Sequence, residues 1–177
     1  LSALARALPA FLALPLLAAP SPARADTEVS CRASGNAHFL PGVQSAPQAQ
    51  HVTYTGVLQE CVDHSALGIS GVRFSAVFTD LRLGCADRDF PGAGTGTVTL
   101  QWRLGRAKPT STAEVTMGQA ALNRVTLSGV VRDGAFPGRQ FTGEFDTNLL
   151  GAPGRCESGA LFGPVHSAPF QGDFTLG

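Results

Sequence analysis

The sequence predicts an all-β fold, an antiparallel β-sandwich or flattened β-barrel of about eight to ten strands carrying two disulfides. Three observations predict it. Apolar and polar residues alternate with period two along most of the chain, as in residues 94–105, where Val98, Leu100, Trp102 and Leu104 oppose Thr97, Thr99, Gln101 and Arg103. Glycine and proline, 21 and 12 in number, cut the chain into short segments, and no segment holds the period of a helix for several turns. The cysteine count is even, at four. The single Trp sits mid-strand on the inward face, which predicts it as the centre of the core.

The strands follow in order. Residues 27–33 set Val29, Cys31 and Ala33 against Glu28, Ser30 and Arg32, with 38–40 as a continuation and Pro41-Gly42 as the turn that ends it. Residues 44–50 are polar and contain a proline, and read as a loop. Residues 51–60 give a second strand, with Val52, Tyr54 and Leu58 on one face. After a connection over 62–71, Val72, Phe74, Ala76 and Phe78 alternate in one phase, and Leu81, Leu83 and Cys85 in the other. A change of phase turns every later side chain to the opposite face, so a bulge is expected near Asp80. Residues 86–96 read as a long turn before the Trp102 strand.

Residues 110–117 place Ala113, Val115 and Met117 inward, and 124–132 repeat the pattern with Val125, Leu127, Gly129 and Val131. Phe141, Gly143, Phe145, Thr147 and Leu149 line the next inner face. Residues 151–159 form a loop carrying Cys156, and 160–165 a short strand. Phe170, Gly172, Phe174 and Leu176 mark the last strand.

The first 25 residues read as a cleaved export signal. Arg6 begins it, an apolar run over 8–19 follows, and Ala23-Arg24-Ala25 offers small residues to a signal peptidase. Pro9 and Pro15 interrupt that run, which is shorter than the roughly 20 residues of a membrane span. One secreted domain over 26–177 is expected to remain. Of 13 basic and 13 acidic side chains the leader removes Arg6 and Arg24, leaving 11 against 13 and a formal charge of −2. Such a balance gives no long-range attraction to nucleic acid or anionic membranes.

Cys31, Cys61, Cys85 and Cys156 lie too far apart for the redox and zinc motifs that rest on short spacings. In an exported chain they read as two disulfides. If the strands meander, Cys31 and Cys61 share one end of a hairpin while Cys85 and Cys156 reach the opposite end, which favours Cys31 with Cys61 and Cys85 with Cys156.

Pro41-Gly42-Val43, the Tyr54-Thr55-Gly56 strand leading to Cys61, the run 94–102, and the Leu127-Ser128-Gly129-Val130-Val131 step leading to Phe136 resemble small secreted β-rich proteins of unknown function from actinobacteria. The resemblance implies an extracytoplasmic all-β protein and transfers no functional residues.

Candidate chemistry is sparse. Glu144 and Asp146 lie two apart on one strand face, the placement of a glycosidase pair, although a solvated outer face has the same pattern. Asp87 and Asp89, in a glycine-rich stretch near Asp80, offer oxygens to a Ca²⁺ ion without the spacing of an EF-hand. His38, His51, His64 and His166 never fall at short ligand spacings. Gly68-Ile69-Ser70-Gly71 departs from a nucleophile elbow at Val72. Tyr54 and Trp102 are the residues placed to line a barrel or cleft for a small apolar ligand.

The expected function is therefore a secreted β-domain without a catalytic site or cofactor. It would act by surface recognition or as an envelope-associated structural component. Its partner would be an extracellular protein, a glycan or a small ligand. A carrier of a small apolar ligand is the alternative, and an extracellular hydrolase is least favoured.

Overall fold

The computed structural model describes residues 28–84, 94–121, 124–148 and 163–177. They form nine strands: β1 (Val29–Val43), β2 (Gln48–Gln59), β3 (Cys61–Asp63), β4 (Gly71–Leu83), β5 (Gly94–Arg103), β6 (Thr110–Ala121), β7 (Arg124–Gly134), β8 (Gln140–Thr147) and β9 (Val165–Leu176). The expected export signal over residues 1–25, Cys85, Asp87, Asp89 and Cys156, and most of the short strand expected over 160–165, lie outside the described residues.

The sheet runs β2-β4-β5-β6-β7-β8-β9-β1, and β1 pairs back onto β2. Eight antiparallel strands thus close into a meander barrel, and closure pairs the two outer strands of the sheet with each other. β1 is the closing strand because it is long enough to serve three partners. Val29–Asn36 and the residues after it pair with β9, Gly35–Leu40 pair with β2, and Cys31 pairs with Cys61 of β3. The ninth strand, β3, extends β1's edge beyond the point where β2 leaves it. β3 takes Cys61, expected to close the second strand, and Val62 and Asp63, expected in the connection over 62–71.

The alternation of the sequence places the inner face as expected. Phe74 lies at the middle of an aromatic cluster, its ring centroid 5.0 Å from Phe145 and 5.9 Å from both Phe170 and Phe174. Tyr54 meets Phe170 edge-on at 5.1 Å and Phe78 at 6.1 Å. Trp102 is fully buried, as expected, but it is not the centre. It lies near the end of β5, where its ring meets Phe136 of the β7–β8 turn at 5.4 Å and its Nε1–H donates to Ser111 Oγ at 2.8 Å. Ser111 in turn donates to the Ala135 carbonyl.

The bulge expected near Asp80 is present. Gln50 faces Leu81 and Val52 faces Phe78, so β4 carries an extra residue there, and Asp80 takes a φ of 60°. A second bulge was not foreseen. Thr55 faces Ser75 but Leu58 faces Arg73, so β2 carries an extra residue at Gly56-Val57. That bulge reverses the phase, and Leu58, expected inside, is exposed.

Pro41-Gly42 does not end the first strand, which continues to Val43. The Leu40–Pro41 peptide is cis and the pairing with β9 shifts register between His38 and Val43. Proline has no N–H to give the β2 ladder, which stops at Leu40 facing His51. The Gln50 side chain takes over. Its Oε1 accepts from the Gly42 N–H and its Nε2 donates to the Gly42 carbonyl, both at 2.9 Å. A carboxamide so placed replaces the missing strand residue, which is why the polar segment 44–50, read as a loop, contains a fully buried glutamine on β2.

Candidate functional site

The outer face of β7, β8, β9 and β1 carries a groove of about 770 Å³. Glu144 and Asp146, two apart on β8, both point into it because they alternate with the inward Phe145 and Thr147. Arg124 of β7, in register with Asp146, lies between them, its Nε 3.1 Å from Glu144 and 3.3 Å from Asp146. Across the β8–β9 ladder Glu144 faces Asp173, which pairs with Arg32 of β1 at 3.8 Å.

One side of this groove is a seam in the barrel wall. The β1–β2 ladder ends at Gly35 facing Gly56, and the β1–β3 ladder begins at Cys31 facing Cys61. Between them Gln59 Nε2 donates to Ser34 Oγ at 2.8 Å. The expected Cys31–Cys61 disulfide closes the far end, its Cα atoms 4.2 Å apart. These are directly opposed residues of two paired strands, so the ladder itself brings the sulfurs together. The second expected bridge, Cys85 with Cys156, lies outside the described residues.

The sequence found the two carboxylates but not Arg124, Arg32 or Gln59. The partners of Glu144 depend on which residues of β7 and β9 face it, and a strand pattern carries no information about register across a turn. The pair has the sequence spacing expected of a glycosidase dyad. Each side chain is about half exposed, at 55% and 49%, and both share one guanidinium.

Of the four histidines, His38 faces Thr53 and Ser167, His51 faces Leu40 and so lies diagonal to His38 on the outer face, His64 follows β3, and His166 lies against Gly42. Among the described residues no group of three His, Cys, Asp or Glu side chains is arranged to hold a metal ion. Ser70, in the sequence that departs from a nucleophile elbow, is tied to Arg103, donating to its carbonyl at 3.1 Å and accepting from its Nε at 3.0 Å.

Tyr54 and Trp102 do line the barrel interior, but as part of its packing. The Tyr54 hydroxyl pairs with Thr147 Oγ1 at 3.3 Å, and burial pushes its pKa above the ordinary phenol value, outweighing that hydrogen bond. Asp63 at the end of β3 organises the turn that follows. Burial opposes its ionisation, but the Ser65 hydroxyl and the N–H groups of Ile69, Ser65 and Gly68 donate to the carboxylate and hold its pKa below the ordinary range. No helix among the described residues is long and apolar enough to cross a membrane.

The class these features define is a closed eight-stranded antiparallel meander barrel with an aromatic interior, a flanking ninth strand, one disulfide in view and a polar outer groove. The chain matches no family model, no curated protein and no solved structure.

Proposed function

We propose that this chain is an exported recognition domain that works through the outside of its barrel, associated with the cell envelope or its surroundings. The observation that carries the reading is the interior. A barrel of eight strands is just wide enough either to be filled by its own side chains or to hold one small ligand. Here Phe74 occupies the middle against Phe145, Phe170 and Phe174, and Phe145 meets Phe170, which supports recognition outside over carriage within. The half-exposed, arginine-paired state of Glu144 and Asp146 supports binding over hydrolysis. The disulfide fits an oxidising compartment, and so does the leader-like sequence of residues 1–25. The resemblance to secreted actinobacterial β-proteins belongs to this proposal as well.

Two measurements test it together. Titration with an apolar naphthalene-sulfonate dye should give no saturable one-to-one binding and leave the emission of Trp102 unchanged. Co-sedimentation with washed bacterial envelope fragments should retain the protein, and the Glu144→Lys/Asp146→Lys variant should be released. One-to-one dye binding that shifts Trp102 emission would establish the carrier instead. Failure to sediment would remove the envelope as the partner.

A further inference from the structure

The outer face of the barrel carries a row of hydroxyl groups that no single strand reveals. Thr95 of β5 faces Thr116 of β6, which faces Ser128 of β7. Ser128 faces Thr142 of β8, Thr142 faces Thr175 of β9, and Thr175 faces Ser30 of β1. Six neighbouring strands therefore present one in-register belt. Its members point outward, and at β8–β9 the two hydroxyls touch, Thr142 Oγ1 lying 2.8 Å from Thr175 Oγ1. With strands about 4.8 Å apart, the belt runs roughly 24 Å around the wall.

The surface along the belt is recessed from Thr95 to Thr175, and Ser30 lies beyond the grooves. A groove of about 650 Å³ takes in Thr95, Thr116 and Ser128. A second, of about 400 Å³, takes in Ser128, Thr142 and Thr175. Glu144 and Asp173 belong both to that second groove and to the larger one over the seam, so the three form one trough. Glycines contribute to its lining, Gly96 and Gly129 in the first groove, Gly143 in the second and Gly172 in the third. A Cβ at Gly129 would run into the Glu114 carbonyl and one at Gly172 into that of Glu144, so only glycine lets the strands lie this close. Strand propensity and cross-strand pairing account for threonine on an outer face. Neither accounts for a row that keeps register while a trough opens along five of its six strands.

We infer that the trough binds a neutral polysaccharide chain laid across the strands. The inference rests on the reading of the outer surface as the recognition surface. The trough's charges decide against a polyion. Its four carboxylates and three guanidiniums are paired with one another, Glu114 with Arg132 at 2.8 Å and the rest as described above, which leaves little net field. What remains is hydrogen-bonding capacity: hydroxyls that both donate and accept, planar carboxylates and guanidiniums, and amides at Gln59 and Gln171. This suits a partner made of hydroxyl groups. A protein partner is disfavoured because protein interfaces centre on apolar and aromatic side chains, whereas among the described residues five of the six exposed large apolar side chains, Leu40, Val57, Leu58, Val62 and Leu67, lie outside the trough and only Val77 lines it.

The test is native electrophoresis in gels cast with soluble starch, hydroxyethyl cellulose, a soluble β-1,3-glucan or galactomannan. At least one should retard the protein. Thr142→Val/Thr175→Val keeps shape and strand propensity and should weaken that retardation about tenfold, the loss of two modest hydrogen bonds. Thr95→Val at the other end should weaken it less, and Leu40→Ser, off the trough, should leave it unchanged; circular dichroism verifies that each variant folds. No retardation in any of the four gels, or retardation that Thr142→Val/Thr175→Val leaves intact, would overturn the inference. If the protein then still sedimented with envelope fragments, and a photo-crosslinker at Ser128 captured a protein, the outer-surface reading would survive with a protein occupant. If it neither sedimented nor was retarded, both would fall.

Discussion

Replacing Gln50 tests whether a single side chain completes the barrel wall where proline interrupts it. Gln50→Leu removes both bonds to Gly42, each worth about 1 kcal/mol net, and strands a buried N–H, at about 1–3 kcal/mol. The Gly42 carbonyl keeps the Gln48 Nε2 donor at 2.8 Å and adds no penalty of its own, so the loss should total about 3–5 kcal/mol. Gln48→Ala removes only that outer donor and should cost about 0.5–1.5 kcal/mol. Gln50→Glu adds a sign test. It keeps an acceptor for the Gly42 N–H but sets a carboxylate oxygen against the Gly42 carbonyl, so its proton is held more tightly in the folded state than in the unfolded one. A raised folded pKa gives stability that is present below the unfolded value and lost as pH rises through the folded value. Urea unfolding followed by the emission of Trp102, the only tryptophan, reads all three variants. Gln50→Leu within 0.5 kcal/mol of the parent, Gln48→Ala costing as much as Gln50→Leu, or Gln50→Glu losing stability on acidification between neutral pH and its folded pKa would refute the reasoning.

Two further outcomes follow from the buried and hydrogen-bonded acids. Tyr54 is the only tyrosine, so its ionisation is read directly from phenolate absorbance, and it should begin only above the ordinary phenol range. Because the folded pKa is raised, the contribution of the neutral hydroxyl is intact below the unfolded value and is lost as pH climbs through the folded one; a half-titration at the ordinary phenol value in folded protein would contradict the burial argument. Asp63 has the opposite sign: its lowered folded pKa gives stability that is present above the unfolded value and lost as pH falls through the folded one. Amide exchange at Ser65 and Ile69 should therefore lose protection on acidification, and Asp63→Asn should lower that protection at neutral pH. Protection that is flat with pH would show that the carboxylate does not hold the turn.

Local pattern was enough for the strands and for most of their inner faces. Val98, Leu100 and Trp102, or Phe141 and Phe145, alternate with polar neighbours, and burial follows alternation because side chains of a strand point to opposite faces. The bulge at Asp80 was equally legible, since a slipped phase on one strand is visible without knowing its partner. The pairing of Cys31 with Cys61 was legible through hairpin order. Gln50 was not, because a buried glutamine looks like a loop residue until Pro41 is placed beside it. Leu58 was misplaced because the bulge at Gly56-Val57 leaves the residue spacing looking regular.

The chain's alternation, turns and cysteines determined by themselves that this is a sheet protein with a phenylalanine-rich interior, because they act within one strand or one hairpin. Tertiary structure alone decided that the sheet closes, that Arg124 stands between Glu144 and Asp146, and that Thr95, Thr116, Ser128, Thr142, Thr175 and Ser30 form one belt. Each of these is a matter of register between strands, and register is set by turns, bulges and closure acting together on the whole wall.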